Sequence, residues 1–296
     1  MPDRTDALTV ARTPEELVRH DRSRRRGFVP TMGALHAGHQ ALIERAAAEN
    51  DDVVVSIFVN PTQFNDPSDL AKYPRTPERD LALAAEAGAT RVYMPAPETI
   101  YPHGHATTVH VRGLTERWEG AFRPGHFDGV TTVVSILLDQ VCPDRSYFGE
   151  KDFQQLAVVR RMCRDLHLPG EIAGCRTVRE PSGLALSSRN ARLSADERER
   201  ALGLSRALAA MTAAVDAGEM SVDRLLSAGV SQLDGLEVEY LAVVDPATLE
   251  PVTDIASGSR ALAAARVGAV RLIDTHDLRE PFPVSSPATS LTGRLQ

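Results

Sequence analysis

Lysine is nearly missing from this chain: of 33 cationic residues only Lys72 and Lys151 are lysines, and the other 31 are arginines. A lysine kept against that bias is a candidate for work a guanidinium cannot do, such as placing a compact charge in a tight site. Lys151, given its neighbours, is the stronger candidate of the two. Cysteine is scarce and odd in number (Cys142, Cys163 and Cys175), with no C-x-x-C pair, which argues against a disulfide framework or a zinc site. Buried thiols in a reducing cytoplasm are expected instead. No apolar run approaches the ~18–20 residues of a membrane span, and Met1 to Arg12 lacks the apolar core of a signal peptide, so no membrane partner is expected. His103, His105, His110 and His126 are not spaced like a metal-ligand set, and no protein metal site is expected. There is no G-x-x-x-x-G-K-[ST], which excludes a P-loop, and no G-x-G-x-x-G after the first strand, which weighs against a dinucleotide. Positive charge is also in deficit. The net charge of -7 argues against a nucleic-acid partner, whose footprint is usually basic. A phosphorylated substrate stays open, because local cations decide that.

What is present is an ordinary globular composition, 43% hydrophobic and 25% charged over 296 residues, enough for one large or two ordinary domains. Short β-branched or aromatic runs alternate with helical patterns. Asp52 to Asn60 reads as a buried strand, Thr76 to Gly88 as a helix, Arg91 to Met94 as a strand, and Asp128 to Val141 as a helix. Arg145 to Phe148 and Glu171 to Cys175 read as strands flanking a helix from Lys151 to Leu166. This alternation predicts an α/β fold, a parallel sheet with helices on both faces, whose ligands bind beyond the carboxyl ends of the strands. After Asn190 the pattern changes. Ser194 to Glu197 forms a capping box opening a helix to about Ala217. A helix follows at Ser221 to Leu233, with strands at Glu237 to Asp245, Ser259 to Ala265 and Ala269 to Asp274. The expected division is a first domain of residues 1–183, a smaller C-terminal α+β domain of 184–278, and a disordered tail of 279–296.

Pro30-Thr-Met-Gly-Ala-Leu-His-Ala-Gly-His39 follows the apolar run Gly27 to Val29 and opens into a helical pattern from Gln40 to Ala48. Two histidines therefore sit at a strand-to-helix corner. Unpaired backbone N–H groups and the positive end of a dipole suit a phosphate there, and imidazoles can donate hydrogen bonds to phosphate oxygens or protonate a leaving group. In Phe58-Val-Asn-Pro-Thr-Gln-Phe64, Asn60 and Gln63 offer amides at a strand end. Turn chemistry explains Asn60-Pro61 well and Gln63 poorly. Phe148-Gly-Glu-Lys-Asp-Phe-Gln-Gln155 is a second corner, with Gly149 permitting close backbone approach, Lys151 and Asp152 in a first helical turn, and Gln155 one turn on. A lysine there opposes the dipole, and a bound anion removes the conflict. Leu186-Ser-Ser-Arg-Asn190 offers two hydroxyls and a guanidinium. Gly120 to Gly129, carrying Arg123 and His126, is either a substrate loop or a long turn.

These segments, with Tyr73 to Thr76 (YPRT) and Arg271 to Asp274 (RLID), resemble in order the motifs of the pantothenate synthetase family. That family sits within the His-x-Gly-His nucleotidyltransferase superfamily. The resemblance runs from about Gly27 to Asp274, with one departure: Thr62, where the family usually has Met. The resemblance implies a Rossmann-like first domain and an ATP-dependent ligase that joins pantoate to β-alanine through a pantoyl adenylate, with Mg²⁺ accompanying ATP. It implies ATP contacts from Met32, Gly33, Ala34, Leu35, His36, Ala37, Gly38 and His39. Gly149, Glu150, Lys151, Asp152, Val178, Leu186, Ser187, Ser188 and Arg189 are implied on the nucleotide as well. His36, His39 (the proton donor), Lys151, Ser187, Ser188 and Arg189 are the expected catalytic set. Gln63 and Gln155 are expected to hold pantoate, with Gln63 also near β-alanine, and Asn60, Arg123 and His126 are further candidates for the substrate pocket. Asp80 is a candidate acidic partner for Mg²⁺, although a solvated helix carboxylate is the simpler reading. The resemblance also implies a homodimer. Two other readings compete: a nucleotidyl transferase acting on a phosphate monoester, and a non-catalytic nucleotide sensor.

Overall fold

The run Val53-Val54-Val55 is buried on both faces, which marks a central strand of a parallel sheet. It belongs to the first of two units into which the chain divides, Met1–Arg176 with Ala247–Leu249, the second being Thr177–Pro246 with Glu250–Gln296. The computed structural model describes residues 8–17, 21, 23–255 and 258–283. In the first unit the elements run β1 (Thr9–Ala11), β2 (Arg26–Thr31), α1 (Ala37–Glu49), β3 (Asp52–Ile57), α2 (Pro67–Ala71), α3 (Pro77–Glu86) and β4 (Arg91–Tyr93). They continue with α4 (Pro97–Ile100), α5 (Glu119–Phe122), α6 (His126–Val141), β5 (Arg145–Gly149), α7 (Phe153–Leu166) and β6 (Glu171–Cys175). The strands form one parallel sheet in the order β1-β4-β3-β2-β5-β6.

From β2 the chain winds outward through β3 to β4, then returns to the other side of β2 as β5 and β6. The strand order reverses between β2 and β5, and in open α/β sheets ligands bind beyond the carboxyl ends at such a point. The two corners singled out in the sequence, after Thr31 and after Gly149, leave the sheet from these two neighbouring strands. Helix α1 packs on β2, β3 and β5 and touches α3, while α6 packs on α7 and β2. Val29, Ile43, Ala46, Val55, Ala84 and Val92 share one core cluster with Tyr147.

Three expectations shift. The Gly120 to Gly129 stretch is not a loop: it is α5, a left-handed Gly125 (φ 77°), and the first turn of α6. Lys151 lies in a 3-10 turn, Glu150–Asp152, ahead of α7 rather than in the α-helix itself. Cys163 and Cys175 are buried, but Cys142 is exposed, because it takes the left-handed C-cap (φ 47°) that ends α6.

The second unit contains α8 (Ala195–Asp216), α9 (Val222–Val230), β7 (Glu237–Val244), β8 (Arg260–Val267) and β9 (Val270–Asp277), the strands forming an antiparallel sheet in sequence order. The Ser194–Glu197 capping box forms: Glu197 N–H donates to Ser194 Oγ at 3.2 Å, and Ser194 N–H donates to a Glu197 oxygen at 2.9 Å. The buried faces of α8 and α9 (Leu204, Leu208, Met211, Leu225) meet Val243, Ala263 and Leu272 of the sheet. The chain division after Arg176 precedes the expected boundary at 183 and puts Val178 with the Leu186 to Arg189 segment. The chain also stays fastened past 279: Arg279 donates to Ile255 O at 3.2 Å, and the Phe282 ring packs 4.9 Å from that of His276. The remainder of the expected tail, residues 284–296, lies outside the described residues. No described helix is long and apolar enough to cross a membrane.

Candidate active site

At the end of β2, Thr31 Oγ1 donates to Ser56 O (2.7 Å) and accepts the N–H of Gly33 (3.1 Å). The chain then turns through two successive left-handed residues, Gly33 (φ 78°) and Ala34 (φ 49°). For alanine that conformation costs about 1–2 kcal/mol, so something must hold it. Asp80, 1% exposed, does so: its carboxylate accepts the N–H of Ala34 at 2.9 Å and of Leu35 at 2.8 Å. A Cβ on residue 33 would lie 3.0 Å from Asp80 Oδ2 and from Ile57 Cγ2, so glycine is needed there twice over.

His36 is the N-cap of α1. Its Nδ1 accepts the N–H of Gly38 at 3.1 Å, while His39 Nδ1 accepts the N–H of His36 at a longer 3.4 Å. The backbone N–H groups of Gly33, Ala34, Leu35, His36 and Gly38 are thus taken by side chains. The corner is therefore less a bare N–H cradle than its sequence suggests, and its donors have moved outward onto imidazoles. A ring whose Nδ1 accepts carries its proton on Nε2 when neutral. Burial, reinforced by the Lys151 charge, lowers the His36 pKa to about 4. Burial, then His36, then Lys151 lower that of His39 to about 3. At neutral pH both rings are uncharged and each presents one Nε2–H; their centroids lie 4.1 Å apart. A neutral imidazole with its proton on Nε2 can donate a hydrogen bond from that nitrogen.

Lys151 is the cation that both rings feel. Its side chain is 17% exposed, and the Asp152 carboxylate lies 3.9 Å from Nζ, too far for a hydrogen bond. A Cβ at Gly149 would meet no protein atom within 4 Å, so packing does not require glycine there. The two glutamines of α7 divide their work. Gln154 is buried, with its oxygen accepting from Glu119 N–H (2.9 Å) and its nitrogen donating to Leu114 O (2.8 Å) and Arg117 O (2.9 Å). The half-buried Gln155 amide has no hydrogen-bond partner among the described residues.

Beyond β3, a 3-10 turn (Pro61–Gln63) presents Gln63. Asn60, 1% exposed, is spent on holding it. Its Nδ2 donates to Gln63 Oε1 and to Gly129 O, both at 3.0 Å, and its Oδ1 accepts from the Tyr101 hydroxyl at 2.7 Å and Thr62 Oγ1 at 2.9 Å. His126 Nδ1–H donates to Gln63 O at 2.9 Å, Arg123 donates to the same oxygen at 3.2 Å, and His126 Nε2 accepts from Arg123 at 3.1 Å. Burial, then the Arg123 charge, lowers the His126 pKa to about 4. The structure therefore brings Asn60, Arg123 and His126 to Gln63. It leaves the Gln63 amide nitrogen as the group without a partner among the described residues. Sequence reasoning missed Tyr101 and Gly129. Tyr101 had no spacing signal, whereas Gly129 lay in a stretch noted for its glycines. A Cβ on Gly129 would sit 2.6 Å from the carbonyl carbon and oxygen of Thr62.

In the second unit, Leu186 N–H donates to Val178 O at 3.0 Å, and Ser187 Oγ accepts the N–H of Arg189 at 3.2 Å as the cap of a 3-10 turn, Ser188–Arg192. Asn190 anchors this turn through Glu180 and Ala185 O, both at 3.0 Å, and Arg198 ties Glu180 to Asn190 O. Arg179 and Asp274, the last residue of the RLID segment, form a buried two-point ion pair at 2.6 and 3.0 Å.

Comparison with known proteins places these sites in context. Residues 7–277 match the family model described as pantoate-beta-alanine ligase. A pantothenate synthetase of Thermus thermophilus is 54% identical over 252 residues, covering 84% of this chain and 91% of that protein. One from Cereibacter sphaeroides is 53% identical over 250 residues, covering 84% and 90%. Among solved structures, a pantothenate synthetase from Thermus thermophilus superposes with a TM-score of 0.88 at 50% identity, covering 91% of this chain and 99% of that one. The pantoate-beta-alanine ligase of Francisella tularensis, complexed with beta-gamma ATP and beta-alanine, does so with 0.76 at 33% identity, covering 93% and 99%.

Proposed function

We infer the reaction from this premise: the chain belongs to the pantoate-beta-alanine ligase family and joins pantoate to β-alanine at the expense of ATP. A carboxylate does not acylate an amine at neutral pH because its leaving group is poor. An oxygen of the pantoate carboxylate attacks the α-phosphorus of ATP, the bond to pyrophosphate breaks, and pantoyl adenylate forms. The β-alanine amine then attacks the acyl carbon, the amine proton is lost, and AMP departs with the bonding electrons.

The observation that carries the reading is the convergence of His36, His39 and Lys151 where the strand order reverses, with the unpartnered amides of Gln63 and Gln155 also in the first unit. The Nε2–H groups of His36 and His39 donate to phosphate oxygens without bringing charge of their own. Lys151 brings the charge, a compact ammonium that offsets negative charge building on the transferring phosphoryl group and the departing pyrophosphate. Preorganised donors of this kind are worth about 10²–10³ in rate apiece. The Gln63 and Gln155 amides suit the hydroxyls and carboxylate of pantoate. Asn60, Arg123 and His126 act on Gln63. On the family's pattern Val178, Leu186, Ser187, Ser188 and Arg189 of the second unit serve the nucleotide as well. The chain works as a homodimer in the cytoplasm.

Mg²⁺ enters with ATP, held by the phosphates. Asp80 does not fit a metal, because both its oxygens are engaged by N–H donors. Pantoate labelled with ¹⁸O in its carboxylate tests the chemistry. Label is expected in the phosphate of AMP after one turnover; label retained wholly in pantothenate and water would contradict an acyl adenylate.

A further inference from the structure

The Tyr73 to Thr76 motif and the buried carboxylate that follows it have no part in the reaction as described, yet they reach the corner that does. We propose that Asp80 is a positioning residue for adenylate formation, a clasp by which the first turn of α3 sets the His-x-Gly-His corner. The proposal rests on the ligase reading above.

Asp80 is 1% exposed and sits in the first turn of α3, where the helix dipole favours a carboxylate. Its Oδ2 accepts from Ala34 N–H at 2.9 Å, and its Oδ1 accepts from Leu35 N–H at 2.8 Å and from Thr76 Oγ1 at 3.1 Å. Three donors converge on one carboxylate, and two of them belong to consecutive residues at the strained turn. Downstream of that turn, His36 and His39 exchange hydrogen bonds with the backbone that fix which nitrogen of each ring faces outward. A shift at Ala34 is therefore passed to both Nε2–H groups. Thr76 closes the arrangement by fixing Oδ1, and Tyr73 packs edge-on to Phe64 at 5.6 Å, next to Gln63 in the chain. The motif thus ties the Gln63 turn to the phosphate corner through α3.

Asn cannot replace Asp here. Its single carbonyl oxygen can accept from one of the two backbone groups, and its NH₂ would then face the other, donor against donor. The side chain would fit in volume and fail in polarity.

The test separates the two half-reactions in Asp80→Asn. Pantoate-dependent pyrophosphate exchange into ATP is expected to fall about 10- to 100-fold, with a raised KM for ATP. Aminolysis of saturating, supplied pantoyl adenylate by β-alanine is expected to change by less than about threefold. Raising Mg²⁺ well above the ATP concentration should restore nothing. An equal fall in both half-reactions would make the role merely structural, and recovery with Mg²⁺ would make Asp80 a metal ligand; either outcome overturns the proposal. Should Asp80→Asn not fold, Thr76→Val removes one donor from the same carboxylate. It is expected to lower exchange alone, about 2- to 10-fold, and an equal loss in both halves overturns the clasp. Wild-type enzyme without pantoate-dependent exchange would instead defeat the ligase reading itself.

Discussion

In the proposed mechanism Lys151 and the two imidazoles that feel its charge divide the electrostatic work: the rings serve as neutral donors and the lysine as the charge. Lys151→Ala is expected to lower the rate of adenylate formation by about 10²–10³ with the melting temperature unchanged, as checked by single-turnover kinetics and thermal melts. Lys151→Arg should rescue poorly, because a planar fork cannot occupy the place of a point charge. The chain itself hints at this, having kept a lysine where arginine is otherwise the rule. The candidate side chains stand out in the sequence by residue type and order. What was not legible is the division of labour among them. Asn60, Arg123 and His126 look like ligand contacts by type, but their hydrogen bonds run to Gln63, from three residues away for Asn60 and across separations that no local pattern encodes for Arg123 and His126. Asp80 looks solvated in the sequence because α3 is amphipathic, and only the fold brings the loop of Ala34 and Leu35 onto it.

Among elements, α6 presses closely on the turn that carries Gln63. Gly129 is where the two backbones meet, and its carbonyl accepts from Asn60. Gly129→Ala is expected to destabilise by about 1–3 kcal/mol and to raise the KM for pantoate more than that for ATP, measured by denaturant unfolding and steady-state kinetics. Ser194→Ala in the capping box of α8 should cost about 1 kcal/mol and leave the pantoate KM unmoved. The strands and long helices were legible because apolar periodicity is local: Glu171–Cys175 has the same bounds in sequence and structure. The short pieces were not. β1, three residues long, pairs with β4 far along the chain, and glycines at 120, 125 and 129 disguised α5 and the start of α6 as a loop.

For the molecule as a whole, neutral histidines, His126 buried and His36 and His39 half-buried, link stability to pH. The folded-state pKa values of His36, His39 and His126, about 4, 3 and 4, lie below the unfolded value near 6.5. The unfolded chain therefore binds more protons between them. Stability from this source is fully present above pH 6.5 and is lost as pH falls towards 4, at up to about 1.4 kcal/mol per pH unit for each ring. Unfolding midpoints in urea should fall steadily from pH 6.5 to 4 and stay level from 7 to 8, and a curve flat down to pH 5 would contradict the neutral rings. The same values leave no step in kcat/KM for ATP between pH 6 and 8 from His36 or His39. The parallel sheet gives these groups their meeting place. The reversal between β2 and β5 sets the His36–His39 corner beside the turn of Lys151, while β3 leads to Gln63. We propose that this junction activates pantoate by adenylation. Labelled pyrophosphate exchange into ATP is the measurement: exchange is expected with pantoate alone, without β-alanine, and is expected to fall by about 10²–10³ in Lys151→Ala. Exchange that proceeds without pantoate, or at a near wild-type rate in the mutant, would overturn this reading.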